Sequence, residues 1–160
     1  YYYKRYKTGR TMVQELKNLD YNLLDDIKEL AGKCADPKEL PSLTLAYMGD
    51  CVFEMLVRTY VIYGGERHVK ALNIISDKIV NAKAQSDMYH NISGILTEEE
   101  TGVFRRGRNA KSASVSKSST LADYRRATGL EALFGYLYLK GDMKRAAELF
   151  KAGVKGLNGE

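Results

Sequence analysis

The sequence predicts an all-α protein. Three observations lead there: apolar residues recur every three or four positions along several long runs, glycines and capping residues punctuate those runs, and no stretch alternates apolar with polar residues as a half-buried strand does. The chain has 160 residues, 44% of them hydrophobic, which suits one domain with a real core.

Residues 1 to 10 mix tyrosine, lysine and arginine without periodicity and contribute nothing to the fold prediction. Over residues 14 to 31, Leu16, Leu19, Leu23, Leu24, Ile27 and Leu30 fall at amphipathic-helix spacing. Gly32 and Pro37 end that run, so residues 32 to 41 read as a hinge before the main body. A long helix follows, with Ser42 able to cap it, a broad apolar face of Leu43, Leu45, Ala46, Val52, Phe53, Leu56, Val57, Tyr60 and Val61, and Gly64-Gly65 as its stop. Residues 69 to 92 read as one or two helices with Leu72, Ile75, Ile79, Val80, Ala84 and Met88 inward.

Thr97-Glu98-Glu99-Glu100 has the form of a capping box and opens a helix to about Gly107. Residues 109 to 120 hold five serines and no apolar period, which predicts a mobile polar loop. Two last helices, roughly 121 to 140 and 142 to 156, are parted by Gly141.

The net charge of +5 is unevenly spread. Arg105, Arg106, Arg108, Lys111, Lys117, Arg125 and Arg126 face one acid, Asp123, in a single segment, and Lys4, Arg5, Lys7 and Arg10 crowd the first ten residues. The rest of the chain is net negative. Such a concentrated basic segment points to a polyanionic partner, although charge clusters are often only solvated surface. No run approaches the roughly 18 apolar residues of a membrane span, and no apolar secretory stretch opens the chain. A soluble, cytoplasmic protein without a membrane partner is expected. Cys34 and Cys51 have no metal-ligand spacing and predict neither a zinc site nor a disulfide framework. His68 and His90 lack matching partners and read as surface or satisfied histidines.

Two acids stand where a structural helix would place something else. Asp50 follows Gly49 inside the apolar helix 43 to 63, and Glu131 lies in the apolar run Leu130 to Leu137. A charge among apolar neighbours is costly unless it is paired or bound to metal. Taken singly, each could be a solvent-facing helix acid, and Asp50 and Glu54 share a face at i and i+4. The neighbouring glycines tip the balance: Gly49 and Gly135 each weaken a helix by about 1 kcal/mol relative to alanine and so point to close helix approach.

At these residues the chain resembles the ribonuclease III family. The first motif reads Tyr47-Met48-Gly49-Asp50-Cys51-Val52-Phe53-Glu54, the second Glu131-Ala132-Leu133-Phe134-Gly135-Tyr136-Leu137-Tyr138-Leu139. Similarity to the branch called Mini-III rests on Thr97 to Glu100, on Arg106-Gly107-Arg108-Asn109-Ala110-Lys111-Ser112 and on Val80-Asn81-Ala82-Lys83-Ala84-Gln85. It spans residues 39 to 157. Two of the family's four usual metal-site acids are replaced, by Ala46 and Thr128.

The resemblance implies a homodimeric helical bundle over residues 39 to 160 with residues 1 to 38 as an extension, and no separate double-stranded-RNA-binding domain. It further implies an endoribonuclease that cuts double-stranded RNA to 5′-phosphate and 3′-hydroxyl ends, with Asp50 and Glu131 as catalytic residues binding Mg²⁺. Maturation of large-subunit (23S) ribosomal RNA precursor is the expected task. The RNA-binding set would be Arg105, Arg106, Arg108, Asn109, Lys111, Ser112, Lys117, Tyr124, Arg125 and Arg126, although core packing is an equal reading for Tyr124. Ala46 and Thr128 motivate an alternative, a non-catalytic RNA-binding or ribosome-associated module. An all-α protein-interaction domain would leave the two embedded acids unexplained.

Overall fold

The computed structural model describes residues 23–33, 35–111 and 120–157. These fall into two units divided between residues 34 and 35. In the first lies α1 (Leu23–Ala31), the part of the expected 14 to 31 helix within the described residues, which buries no side chain. Gly32, at φ 65°, closes it in a conformation that side chains disfavour.

The second unit holds α2 (Ser42–Tyr63), α3 (Val69–Val80), α4 (Ala82–Ile92), a 3₁₀ turn (Ser93–Ile95), α5 (Glu98–Asn109), α6 (Leu121–Lys140) and α7 (Met143–Leu157). No strand occurs among the described residues, so the all-α expectation holds.

α6 is the central helix. Ten of the eleven consecutive residues from Ala127 to Leu137 are buried, Glu131 being the exception. A helix apolar around its whole circumference must be enclosed, and α2, α4, α5 and α7 pack around this one. Phe53 of α2 meets Phe134 of α6 and Phe150 of α7 edge to face, at centroid distances of 5.4 and 5.8 Å.

The helix ends follow local chemistry. Thr97 and Glu100 form the expected capping box: the Glu100 amide donates to Thr97 Oγ1 at 3.2 Å and the Thr97 amide to Glu100 Oε2 at 2.8 Å. Gly141, at φ 85°, ends α6, with its own amide bonded to the Tyr138 carbonyl and that of Asp142 to Leu137. The stretch 69 to 92 resolves into two helices because Asn81 is extended and serves both. Its Oδ1 accepts from the Ala84 amide at the start of α4, while its Nδ2 donates to the Asp77 and Lys78 carbonyls at the end of α3.

Several expectations are corrected. Pro41, not Ser42, is the N-cap of α2: its extended backbone leaves its carbonyl to accept from the Thr44 and Leu45 amides, and Ser42 already belongs to the first turn. α5 runs two residues past Gly107, to Asn109. Leu43 and Tyr60 are 43% exposed, and Leu72, Ile75, Ile79 and Val80 are only half-buried, because the apolar faces of α2 and α3 are wider than their neighbours cover. Both histidines are exposed.

Candidate metal centre and nucleic-acid interface

Gly49 and Gly135 let α2 and α6 touch along their backbones. A Cβ built on Gly49 would overlap the Glu131 carbonyl oxygen and stand 2.8 Å from the Gly135 nitrogen, and one on Gly135 would overlap the carbonyl oxygen of Leu45. Asp50 is the next residue after Gly49, and Glu131 lies one helical turn before Gly135 on the facing helix. The crossing therefore draws together two carboxylates 81 positions apart in the chain.

A second close approach holds α6 from the other side. Side chains on Gly107 or Gly129 would collide with Ala132 or with the Phe104 ring, so α5 also packs closely against α6.

The two acids differ in setting. Asp50 is exposed, and its carboxyl is raised above the ordinary range by partial burial and then by the charge of Glu54. Glu54 itself accepts from Arg58 at 2.7 Å. Glu131 is half-buried. Burial first, and then the charge of Asp50, push its carboxyl up to about 7, against the opposing effect of a 3.3 Å hydrogen bond donated by Gln85 Nε2. A carboxylate whose ionised form is disfavoured by burial and a like charge is one that a divalent cation relieves.

The donor set fits a hard cation such as Mg²⁺. Every candidate ligand is an oxygen, and the Gln85 side chain that donates to Glu131 keeps its buried Oε1 without a hydrogen-bond partner among the described residues. Among the described residues no group of three His, Cys, Asp or Glu side chains gathers to form a protein-only metal cage. Mg²⁺ does not need one, since it commonly keeps several waters and takes one or two carboxylates plus substrate phosphate oxygens. The positions of the two replaced acids supply no further ligand charge: Ala46 is 7% exposed, and the Thr128 hydroxyl donates to the Tyr124 carbonyl at 3.2 Å.

The basic candidates separate into two kinds. Arg105, Arg106 and Arg108 are exposed on the last turns of α5, with Asn109 and Lys111 following, and Arg125 is exposed near the start of α6. Among the described residues no carboxylate pairs with these arginines. Arg126 is differently placed: its Nε donates to Ser86 Oγ at 2.7 Å and its Nη2 to Asp123 Oδ1 at 3.1 Å, which ties α6 to α4. Asp123 is held below the usual carboxylate range by the Thr120 and Ser86 hydroxyls and then by Arg126. Tyr124 is half-buried. Ser112 and Lys117, with residues 112–119 of the predicted loop, lie outside the described residues, whereas its ends are tied to helices: Asn109 closes α5 and Thr120 caps α6.

Gln85 received no role from the sequence, although it closes the Val80 to Gln85 stretch. No signal within α4 marks it, because the partner that gives it a role lies 46 residues away on α6.

Comparison with known proteins agrees with this arrangement. The family described as Ribonuclease III domain matches residues 43–142. The Mini-ribonuclease 3 of Symbiobacterium thermophilum is 43% identical over 122 residues, which cover 76% of this chain and 94% of the relative. That of Brevibacillus brevis is 40% identical over 125 residues, covering 78% and 93%. A crystal structure of a Fusobacterium nucleatum protein superposes with a TM-score of 0.68 at 32% identity, over 76% of this chain and 97% of that one.

Proposed function

This chain belongs to the ribonuclease III family, on its Mini-ribonuclease 3 branch, and on that premise we propose that Asp50 and Glu131 are its catalytic carboxylates and hold Mg²⁺ for cleavage of double-stranded RNA. The family are endoribonucleases of double-stranded RNA and are generally metal-dependent, and the chain is accordingly an endoribonuclease. The observation that carries the reading is the juxtaposition of Asp50 and Glu131 across the Gly49–Gly135 crossing.

Asp50 and Glu131 would hold a Mg²⁺ ion, whose chemistry would be to activate the attacking water and offset charge on the scissile phosphate. Asp50 and Glu131 supply the negative oxygens that hold it, and the buried backbone contact beneath them keeps the two carboxylates in register. Hydrolysis forms a bond from water oxygen to phosphorus and breaks the bond from phosphorus to the 3′-oxygen, leaving a 5′-phosphate and a 3′-hydroxyl. No side-chain nucleophile is required.

Arg105, Arg106, Arg108, Asn109, Lys111 and Arg125 form the proposed RNA surface, joined by Ser112, Lys117 and Tyr124, with Arg126 fixed by Asp123 at its edge. A-form duplexes are recognised mainly by shape, phosphates and 2′-hydroxyls, and exposed arginines suit that contact. Precursor large-subunit ribosomal RNA is the proposed substrate. The catalytic domain spans residues 39–160 in this reading, and residues 1–38 form an extension.

A homodimer completes the proposal. Leu43, Tyr47, Met55, Ile62 and Tyr63 leave an apolar strip along α2, between 43% and 88% exposed and adjacent to Asp50, and a second copy would cover it. Sedimentation of a Met55→Glu variant tests this: a shift toward monomer is expected, and an unchanged monomeric or dimeric state in both proteins counts against it.

The enzymatic reading is tested by incubating the protein with labelled duplex RNA in Mg²⁺ or EDTA, beside Asp50→Asn and Glu131→Gln. Cleavage confined to the unmodified protein in Mg²⁺ is expected. Duplex binding without Mg²⁺-dependent cleavage would instead favour the non-catalytic RNA-binding module that Ala46 and Thr128 raise.

A further inference from the structure

We propose that Gln85 is the positioning residue of the metal centre, pinning the Glu131 carboxylate from α4 so that it faces Asp50 in a state ready to receive the cation. This rests on the reading of Glu131 as a metal ligand.

The case begins with burial. Gln85 is 3% exposed, and an amide withdrawn from water is costly unless its polar atoms are paired. Both hydrogens of its Nε2 find acceptors: the Val80 carbonyl at 2.9 Å and Glu131 Oε1 at 3.3 Å. The orientation of the amide is decided by these partners, because a backbone carbonyl and a carboxylate only accept; turning the amide over would set oxygen against oxygen at both. Val80 ends α3, and the break at Asn81 leaves its carbonyl outside the regular helical ladder. Gln85 is therefore anchored on backbone at one hydrogen and presents the other to Glu131.

The remaining atom points the same way. Gln85 Oε1 is buried and has no hydrogen-bond partner among the described residues, so the side chain is not placed to satisfy itself. Its position is set through Nε2 alone, by the Val80 carbonyl and the Glu131 carboxylate. Among the described residues Gln85 is also the one side chain that hydrogen-bonds to Glu131, and with Oε1 engaged the other carboxylate oxygen has no competing donor. Partners that orient a metal-binding carboxylate typically contribute 10- to 100-fold to metal affinity or activity.

The test compares wild type with Gln85→Met, which keeps the length of the side chain but neither donates nor accepts strongly, and with Gln85→Glu, which sets an acceptor where the donor was. Mn²⁺ binding to the RNA-free protein is followed by electron paramagnetic resonance, alongside metal-free thermal unfolding and the Mg²⁺ dependence of duplex cleavage. For Gln85→Met, Mn²⁺ binding weakens about tenfold and the half-saturating Mg²⁺ concentration rises by a similar factor, more than the saturated rate falls. Gln85→Glu restores neither. Superimposable Mn²⁺ curves for wild type and Gln85→Met overturn the proposal, as does a fall in metal-free stability without a change in Mn²⁺ binding, which would make Gln85 a packing residue. An Asp50→Asn or Glu131→Gln protein that binds Mn²⁺ as well as wild type removes the metal-centre reading itself, an outcome distinct from failure at Gln85 alone.

Discussion

Gly49 and Gly135 meet backbone to backbone where α2 crosses α6, and no side chain fits between them. In an exposed helix a change from glycine to alanine gains about 1 kcal/mol of propensity. Here the added methyl group overlaps a carbonyl oxygen, and only separation of two core helices relieves it. Gly135→Ala is expected to lose about 3 kcal/mol of stability, at the upper end of overpacking costs. It should also cut cleavage strongly although both carboxylates remain. Chemical unfolding with an activity assay checks this, and a variant as stable as wild type would show that the helices part easily.

The buried setting of Glu131 predicts a stability profile. Its carboxyl titrates near 7 in the folded metal-free chain, against a reference of 4.5. Between those values the folded state binds more protons than the unfolded state, so folding is opposed progressively as pH rises through that window. Glu131→Gln removes the charge. It is expected to stabilise the metal-free protein by about 2 kcal/mol at pH 8 and hardly at all at pH 4. Thermal unfolding in EDTA at the two pH values measures the difference; equal shifts at both would mean that the charge is not the cause.

Glu100 and Arg145 form a second buried dependence. The Glu100 side chain is 6% exposed, and burial alone would raise its carboxyl; Arg145, then the Thr97 amide, outweigh this and hold it below the ordinary range. Arg145 Nε and Nη2 reach Glu100 at 2.8 and 3.1 Å, and Nη2 also reaches the Ile95 carbonyl at 2.7 Å. Arg145→Ala leaves a carboxylate buried without its counter-ion and is expected to cost about 3 kcal/mol at pH 7. The penalty should shrink as pH falls and Glu100 is protonated. Denaturation at pH 7 and pH 4 tests both parts.

Arginines that look alike in the sequence should separate in a salt titration. Neutralising Arg105 and Arg108 is expected to leave stability nearly unchanged while flattening the salt dependence of duplex binding, by roughly one unit of slope for each phosphate that is no longer neutralised. Arg126→Gln should mainly lower stability, by about 1 to 3 kcal/mol, because it removes the counter-ion of Asp123 and the donor to Ser86. Identical behaviour of the three positions in both measurements would show that the division is wrong.

Much of this protein is readable without its fold. Leu45, Val52, Phe53, Val57 and Val61 announce a core-facing helix by spacing alone, and Thr97 with Glu100 announces a helix start, because both signals act within a few residues. The two short motifs around Asp50 and Glu131 carry the family for a similar reason: each packs an acid and a helix-contact glycine within five residues. Periodicity leaves open the partners that are distant in the chain. It cannot show that Arg126 turns to Ser86 and Asp123 while Arg125 faces water, since both sit on one basic run. Nor can it find Gln85, whose partner Glu131 is 46 residues away. Local pattern is enough to say which segments become helices and which residues have the chemistry of a metal site. That Asp50 and Glu131 meet follows from the crossing of α2 and α6, because a contact between two backbones depends on how helices pack and not on the pattern within either one.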